Sequence, residues 1–382
     1  MIKKIVLLSM LVFSASTLAN SFSAEEDLPL DGLNNLIQVY KEIQNSHIDK
    51  VDNNLLIKSA IKGMVSSLDN HSQYLIGNEA VQIQKNISGE FAGVGLEMME
   101  TEDGLLVISP LKDSPSFKAG ILSGDVIVSI NGVSTKSIKT VDSAISELSG
   151  IVGDIVDIKL IRDGEKKDFS INKDIIKIDS VESKVISKEI GYIKINTFQN
   201  GTFIDFKEEI NKTVFNKNGE VKVSGLIIDL RGNAGGLIDD AIKIADYLTP
   251  RGKVLIKIVT RDSEDEILSK HNTNFEKPIV VIIDSGTASA SEVLASSLMD
   301  NGIATVIGER SFGKGTIQKV FEFDNGDLFK ITTSSYLSPN GNIIQDNGIE
   351  PKVFVKNDVK KSKSKLIKDE TIKAAIRYLK QS

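Results

Sequence analysis

Ser289 stands in the run Gly286-Thr287-Ala288-Ser289-Ala290-Ser291-Glu292, just ahead of a segment with helical texture. Lys314 follows 25 positions later, between glycines in Gly313-Lys314-Gly315, and Gln318 lies four residues beyond it. A hydroxyl becomes a nucleophile when a neighbouring base takes its proton, and a neutral lysine can be that base. Free lysine titrates near ~10.4, so only about one in two thousand is neutral at pH 7. A working site must therefore bury the amine, and Phe312, Ile317 and Val320 are candidate walls. The side chain of Gln318 can hold the amine's orientation by a hydrogen bond. A separation of 25 positions suffices for a helix and a return strand, which brings the lysine back beside the helix start.

The same residues admit plainer readings. Ser289-x-x-Glu292 is also a capping box, and lysines between glycines are common in exposed turns. Ser291 is a second hydroxyl two positions from the first. A histidine-based rival is a triad of Asp229, His271 and Ser289, a chain order known among hydrolases. His271, however, lies in the polar stretch of residues 269–274, which reads as an exposed loop. Acyl transfer also needs donors for an oxyanion. Gly235 and Gly236, in a glycine loop ahead of a helix, and the N–H of Ala290 are the candidates.

The 382-residue chain is 41% hydrophobic and 26% charged, an ordinary globular balance. A net charge of -6 argues against nucleic acid as partner, and the basic cluster at Lys360, Lys361 and Lys363 reads as a solvated tail. With no cysteine, thiol nucleophiles, disulfides and thiolate metal centres are excluded, and three histidines are too few for a histidine-rich metal site. No cofactor or metal is expected. Residues 1–19 read as a secretory signal peptide: Lys3 and Lys4, then an apolar run over 5–13, then Thr17 and Ala19 at the −3 and −1 positions. Retained, this segment would act as a membrane anchor.

Behind it, Leu33, Leu36, Ile37, Tyr40 and Ile43 share one helical face, as do Ile57, Ala60, Ile61, Met64, Val65 and Leu68, with Asp52 or Asn53 as cap of the second helix. Such stripes need a partner surface, either the body of the protein or another subunit. From residue 89 to 172 the texture changes to short strands with glycine turns, including an Asn131-Gly132 turn and a hairpin at Asp163-Gly164. Gly93-Val94-Gly95-Leu96, residues 114–120, the Gly124-Asp125 to Asn131-Gly132 strand and the helix that follows together resemble a PDZ domain. From about 190 to 351, buried strands at 225–230, 278–283 and 303–307 alternate with helices at 238–248 and 290–299, the pattern of an α/β core.

These segments together are similar to one family, the carboxyl-terminal processing or tail-specific serine proteases. The similarity runs through residues 67–75, the PDZ-like segment, Asp229-Leu230-Arg231-Gly232-Asn233-Ala234-Gly235-Gly236, the Ser289 run, Phe312-Gly313-Lys314-Gly315-Thr316-Ile317-Gln318 and residues 344–351. Ala234 and Asn70 stand where the family usually has proline. The first puts only loop rigidity in doubt, and the second lies outside the catalytic set. The resemblance implies a Ser289–Lys314–Gln318 triad in a crotonase-like α/β protease core, interrupted by the PDZ domain and preceded by helices of the kind that mediate dimerisation. It implies protein substrates with a free C-terminus held by Gly93, Val94, Gly95 and Leu96, and a regulatory role for Arg162, which otherwise reads as a surface charge. It leaves open a homodimer or higher homo-oligomer and an adaptor protein. The segments expected are 1–19 signal peptide, 20–85 helical, 89–172 PDZ, 173–355 protease core and 356–382 helical tail, in a periplasmic or cell-envelope protein. The competing class is an inactive PDZ scaffold that binds peptides without cutting them.

Overall fold

A computed structural model describes residues 29–381 apart from 89, 102–103, 112, 139–140, 178, 188, 272–274 and 357–368. The signal segment and the basic tail cluster lie outside the described residues. The first elements are α1 (Leu30–Ser46), α2 (Asn53–Ser66), the short strand β1 (Gln73–Leu75) and α3 (Asn78–Ser88). Asp52 caps α2, accepting the N–H of Leu55 at 2.9 Å. No residue of α1 is buried, and Leu36, Ile37 and Val39 stay exposed on it, so the apolar stripe expected there has no partner surface within the described chain. Among the described residues no helix is long and apolar enough to cross a membrane.

The next unit contains β2 (Glu90–Gly93), β3 (Leu96–Thr101), β4 (Gly104–Pro110), α4 (Pro115–Ala119), β5 (Val126–Ile130), β6 (Val133–Ser134), α5 (Val141–Leu148), β7 (Ile155–Arg162), β8 (Glu165–Asn172) and β9 (Asp174–Lys177). Its sheet runs β3-β4-β5-β7-β8, leaving β3 at an edge with α5 against it. Asn131 (φ 50) and Gly132 (φ 80) adopt the left-handed conformations that a two-residue hairpin turn requires, as the Asn-Gly pair predicts. The apolar positions of alternate strands meet in a core of their own that includes Val107, Ile127, Val156 and Leu160.

The remaining elements form two further sheets. They are β10 (Val181–Ile186), β11 (Ile190–Ile195), α6 (Thr202–Val214), β12 (Gly225–Asp229), α7 (Ile238–Leu248), β13 (Val254–Val259), β14 (Glu264–Leu268), β15 (Ile279–Ile283), α8 (Ala290–Asp300), β16 (Ala304–Gly308), β17 (Thr316–Glu322), β18 (Leu328–Leu337), β19 (Val353–Phe354) and α9 (Glu370–Leu379). One sheet has the order β10-β11-β12-β15-β16-β19, parallel from β11 onward. Every residue of β12 and β15 is buried because both faces are covered, which is why these strands read as unbroken apolar runs. Leu226 and Ile228 pack toward α6, α7 and α8, while Ile227 packs with Ile372, Ala375 and Leu379 of α9. The other sheet, β1-β18-β13-β14 with β17 on β18, is antiparallel and takes the N-terminal strand β1 at its edge. The whole is a mixed α/β fold in which the chemistry-bearing loops leave the C-terminal ends of adjacent parallel strands.

Candidate active site

β12 and β15 are parallel neighbours, so the loops that follow them emerge side by side. Hydrogen bonds stitch the two together. Gly232 N–H donates to Asp284 Oδ1 (2.9 Å), the Thr287 hydroxyl to the Leu230 carbonyl (2.9 Å), and Ala288 N–H to the Asn233 carbonyl (3.0 Å). The second loop delivers Ser289 to the N-terminus of α8 with φ 55 and ψ −119. Few residues other than glycine adopt that backbone, and a strained serine at a strand-to-helix turn is how hydrolases expose a nucleophile.

Glu292 organises what surrounds the serine. Its carboxylate is fully buried and accepts four hydrogen bonds. They come from Ser289 N–H (2.8 Å), Lys314 N–H (2.8 Å), Gly313 N–H (2.7 Å) and the Ser311 hydroxyl (2.6 Å). The Tyr336 hydroxyl adds a second tie, lying 3.0 Å from the Ser289 carbonyl and 2.5 Å from that of Lys314. Burial, with the nearby Glu292 charge, pushes the Tyr336 phenol well above its ordinary range, so it remains a donor. Ser289 and Lys314, 25 positions apart in sequence, are thus held backbone to backbone.

Burial lowers the pKa of Lys314, against the pull of the Glu292 charge, in the direction a general base requires. Of the expected walls, Ile317 packs against the main core and Val320 against the cluster of Leu75, Ala80 and Leu328. Phe312 is 65% exposed and belongs to no core cluster of the described residues; its backbone N–H donates to the Thr287 carbonyl (2.9 Å). Gln318 is half-buried on β17, and its amide donates to Thr316 Oγ1 (2.9 Å) and Thr332 Oγ1 (3.4 Å). No bond from Gln318 to Lys314 is among the described hydrogen bonds.

Gly235 packs directly on Ser289: a Cβ placed there would lie 2.8 Å from Ser289 Cβ and 3.0 Å from the Ala290 nitrogen. Its φ of +100 independently requires glycine. Its N–H, however, donates to Asn233 Oδ1 (2.9 Å), so Gly235 does not present a free oxyanion donor in this arrangement. Gly236 is pressed against the Phe198 carbonyl, and Ala290 opens α8, where a backbone N–H has no acceptor within its own helix. Ser291 is buried and its hydroxyl donates to the Asn233 carbonyl (3.0 Å), a structural role.

The histidine alternative is not assembled. His271 is exposed and its Nδ1 lies 2.6 Å from Asp246. Asp229 is held instead by the Tyr192 hydroxyl (2.9 Å) and by Arg231 (2.6 Å), whose guanidinium also reaches Asp369 at the cap of α9 (2.7 Å). In the sequence Arg231 stands out only as part of the run from Asp229 to Gly236. No group of His, Cys, Asp and Glu among the described residues could hold a metal ion.

In the PDZ-like unit, Gly93 ends β2, Val94 is buried and Gly95 has φ 74. The Gly95 carbonyl accepts Leu111 N–H (3.0 Å) and the Ser116 hydroxyl (2.6 Å), which fixes the loop leading into Leu96 and β3. Arg162 is no loose surface charge. Its Nε and Nη2 each lie 2.7 Å from the buried Asp125 carboxylate, and Nη2 also donates to the Gly120 carbonyl (2.8 Å). Burial alone would raise the Asp125 carboxyl, but Arg162 and the Leu122 N–H hold it below its ordinary range.

Comparison with known proteins places these units. Residues 189–355 match the family model described as peptidase family S41, residues 92–172 a PDZ domain, and residues 11–77 the N-terminal domain of the activating protease CtpB. The carboxy-terminal processing protease CtpA of Bacillus subtilis is 34% identical over 343 residues, covering 89% of this chain and 72% of the relative. A probable CtpA-like serine protease of Staphylococcus aureus is 36% identical over 85% of this chain, which spans only 64% of that relative's length. Among solved structures, the photosystem II D1 C-terminal processing protease superposes with a TM-score of 0.51 at 26% identity, covering 84% of this chain and 92% of that one.

Proposed function

The chain belongs to the carboxy-terminal processing proteases of peptidase family S41, and on that premise we propose that it hydrolyses peptide bonds with Ser289 as nucleophile and Lys314 as general base. The observation that carries this reading is the strained Ser289 backbone held to the half-buried Lys314 through Glu292 and Tyr336. Neutral Lys314 takes the hydroxyl proton as Ser289 Oγ attacks the scissile carbonyl. The resulting ammonium gives that proton to the leaving amine, and water then hydrolyses the acyl-enzyme by the same route. Ala290 N–H faces the developing oxyanion with the glycine loop, in which Gly236 is the second donor, and Gly235 becomes one if its N–H leaves Asn233. Gln318 orients the amine.

Substrates are exported proteins with a free C-terminus. Their last residues add as a strand along the edge of β3, beside α5, with the carboxylate on the backbone N–H groups of the 93–96 loop. Arg162 couples that occupancy to the protease core. The N-terminal segment directs the chain to the periplasm or cell envelope, and the bare apolar face of α1 supports self-association.

Cleavage of a fluorogenic peptide with an apolar free C-terminus, compared with its C-terminally amidated form, tests the reading. The expected result is turnover abolished by Ser289→Ala and weakened several-fold by amidation. Binding without turnover by the native protein would establish the inactive-scaffold alternative instead.

A further inference from the structure

The third member of the proposed catalytic set is an amide, and an amide is useful to a lysine only one way round. Its Oε1 can accept a hydrogen bond from the amine, whereas its NH2 group cannot. Which end faces the lysine is decided by the partners at the other end. Gln318 and Thr332 are directly opposite each other on β17 and β18, just beyond a β-bulge between Ile317 and Gln318. The Gln318 NH2 group donates to Thr332 Oγ1 (3.4 Å), as it does to Thr316 Oγ1 (2.9 Å). The Thr332 hydroxyl in turn donates to Asp69 Oδ1 (3.3 Å).

Asp69 belongs to the N-terminal segment, in the turn before β1. Its Oδ1 also accepts the N–H groups of His71 and Ser72 (2.7 Å each), and its Oδ2 the Ser72 hydroxyl (2.8 Å). Ser72 Oγ receives Thr332 N–H (3.0 Å), so the turn grips Thr332 twice. Burial works to raise the Asp69 carboxyl, but these hydrogen bonds outweigh it and keep the carboxyl below its ordinary range. An ionised carboxylate accepts only. The Thr332 hydroxyl must therefore point its proton at Asp69 and offer its lone pairs to the amide nitrogen.

We propose that Asp69, acting through Thr332, is a positioning residue that sets the polarity of the Gln318 amide and leaves Oε1 as the end that meets Lys314. Docking of the N-terminal segment on the β17–β18 hairpin then becomes a condition of full activity. This inference rests on the serine–lysine reading and on Gln318 within it.

Steady-state kinetics on the full chain test it, with thermal unfolding as a check on folding. Thr332→Val, which removes the hydroxyl and little else, is expected to lower kcat by roughly tenfold with KM unchanged, the scale of one lost oriented hydrogen bond. Asp69→Ala should lower kcat similarly, and Thr332→Ser should keep most of the native rate. In a Gln318→Ala background, Thr332→Val should cost nothing further, because the residue it positions is gone. Equal rates for Thr332→Ser and Thr332→Val, or an unchanged cost in the Gln318→Ala background, overturn the proposal. Where Gln318→Ala leaves no measurable rate, the serine–valine comparison decides alone. Full activity in Ser289→Ala or Lys314→Met would instead sink the serine–lysine reading, a result separable from either of these.

Discussion

One carboxylate oxygen, Oε2 of Glu292, accepts both the N–H of Ser289 and the N–H of Lys314, each at 2.8 Å. A shift of either backbone therefore strips an acceptor from the other. The proposed nucleophile and the proposed base are registered by a third side chain.

Ser289→Ala is expected to abolish peptide cleavage without unfolding the protein, and Ser291→Ala to retain most activity. Ser289→Gly should also be inactive yet more stable by roughly 1 kcal/mol, since glycine adopts this backbone without strain. Turnover and unfolding midpoints of the three variants settle the assignment. An active Ser289→Ala would remove it.

The lowered pKa of Lys314 makes two signed predictions. Activity requires the neutral amine, so kcat/KM should rise with pH through the depressed pKa, and a rate flat from mildly acid to alkaline conditions would count against lysine as base. For stability, the unfolded chain binds a proton that the folded state has lost between the depressed pKa and the ordinary lysine value. Stability from this group is therefore greatest above the ordinary value and is lost as pH falls through that window. Lys314→Met should consequently raise the melting temperature near neutrality, with the gain shrinking toward alkaline pH, while activity is lost. A melting difference independent of pH would contradict this.

Glu292→Gln replaces two acceptor oxygens by one and puts an NH2 group among donors. A stability loss of roughly 1–3 kcal/mol is expected from the donors left unpaired in a buried site. Because the Glu292 charge pulls the Lys314 pKa upward, residual activity should show its acid limb displaced to lower pH. An acid limb left in place would mean that Glu292 acts by packing alone.

Arg162→Ala is a poor probe by itself, because it strands the buried Asp125 carboxylate and destabilises the PDZ-like unit. The pair Arg162→Ala with Asp125→Asn removes the stranded charge. If Arg162 couples peptide occupancy to catalysis, the double variant should bind a C-terminal peptide as the native protein does and turn it over several-fold more slowly. Native turnover at saturating substrate would reduce Arg162 to a strut within its own unit.

Local signals were legible in the sequence, and relations between distant strands were not. The Asn131-Gly132 turn, the cap at Asp52, the buried runs of β12 and β15 and the serine ahead of α8 each follow from residue types within a few positions. Tyr336 and Thr332 could not be found that way. Their importance comes from the register of β18 against β17, including a bulge that no residue type announces. Arg231 read as loop because its second partner, Asp369, is 138 positions away. Phe312 was expected inside for its apolar ring, but it is exposed, and its backbone N–H donates to the Thr287 carbonyl. The capping-box reading of Ser289 and Glu292 does not compete with the role proposed for Ser289, since the Glu292 carboxylate that takes the Ser289 N–H also takes that of Lys314.

Arg231, bound to Asp229 at the end of β12 and to Asp369 at the start of α9, joins two layers of the core that, among the described residues, share no backbone hydrogen bond. The loop that abuts Ser289 has, besides its bonds to the neighbouring loop, an anchor on α9, which also supplies Ile372, Ala375 and Leu379 to cover the far face of the central sheet. One guanidinium thus spans the edge of the sheet, and a displacement of α9 is passed through it to the loop beside Ser289. The helix on one face of the sheet is in this sense a remote latch on the loop that packs against α8 on the other.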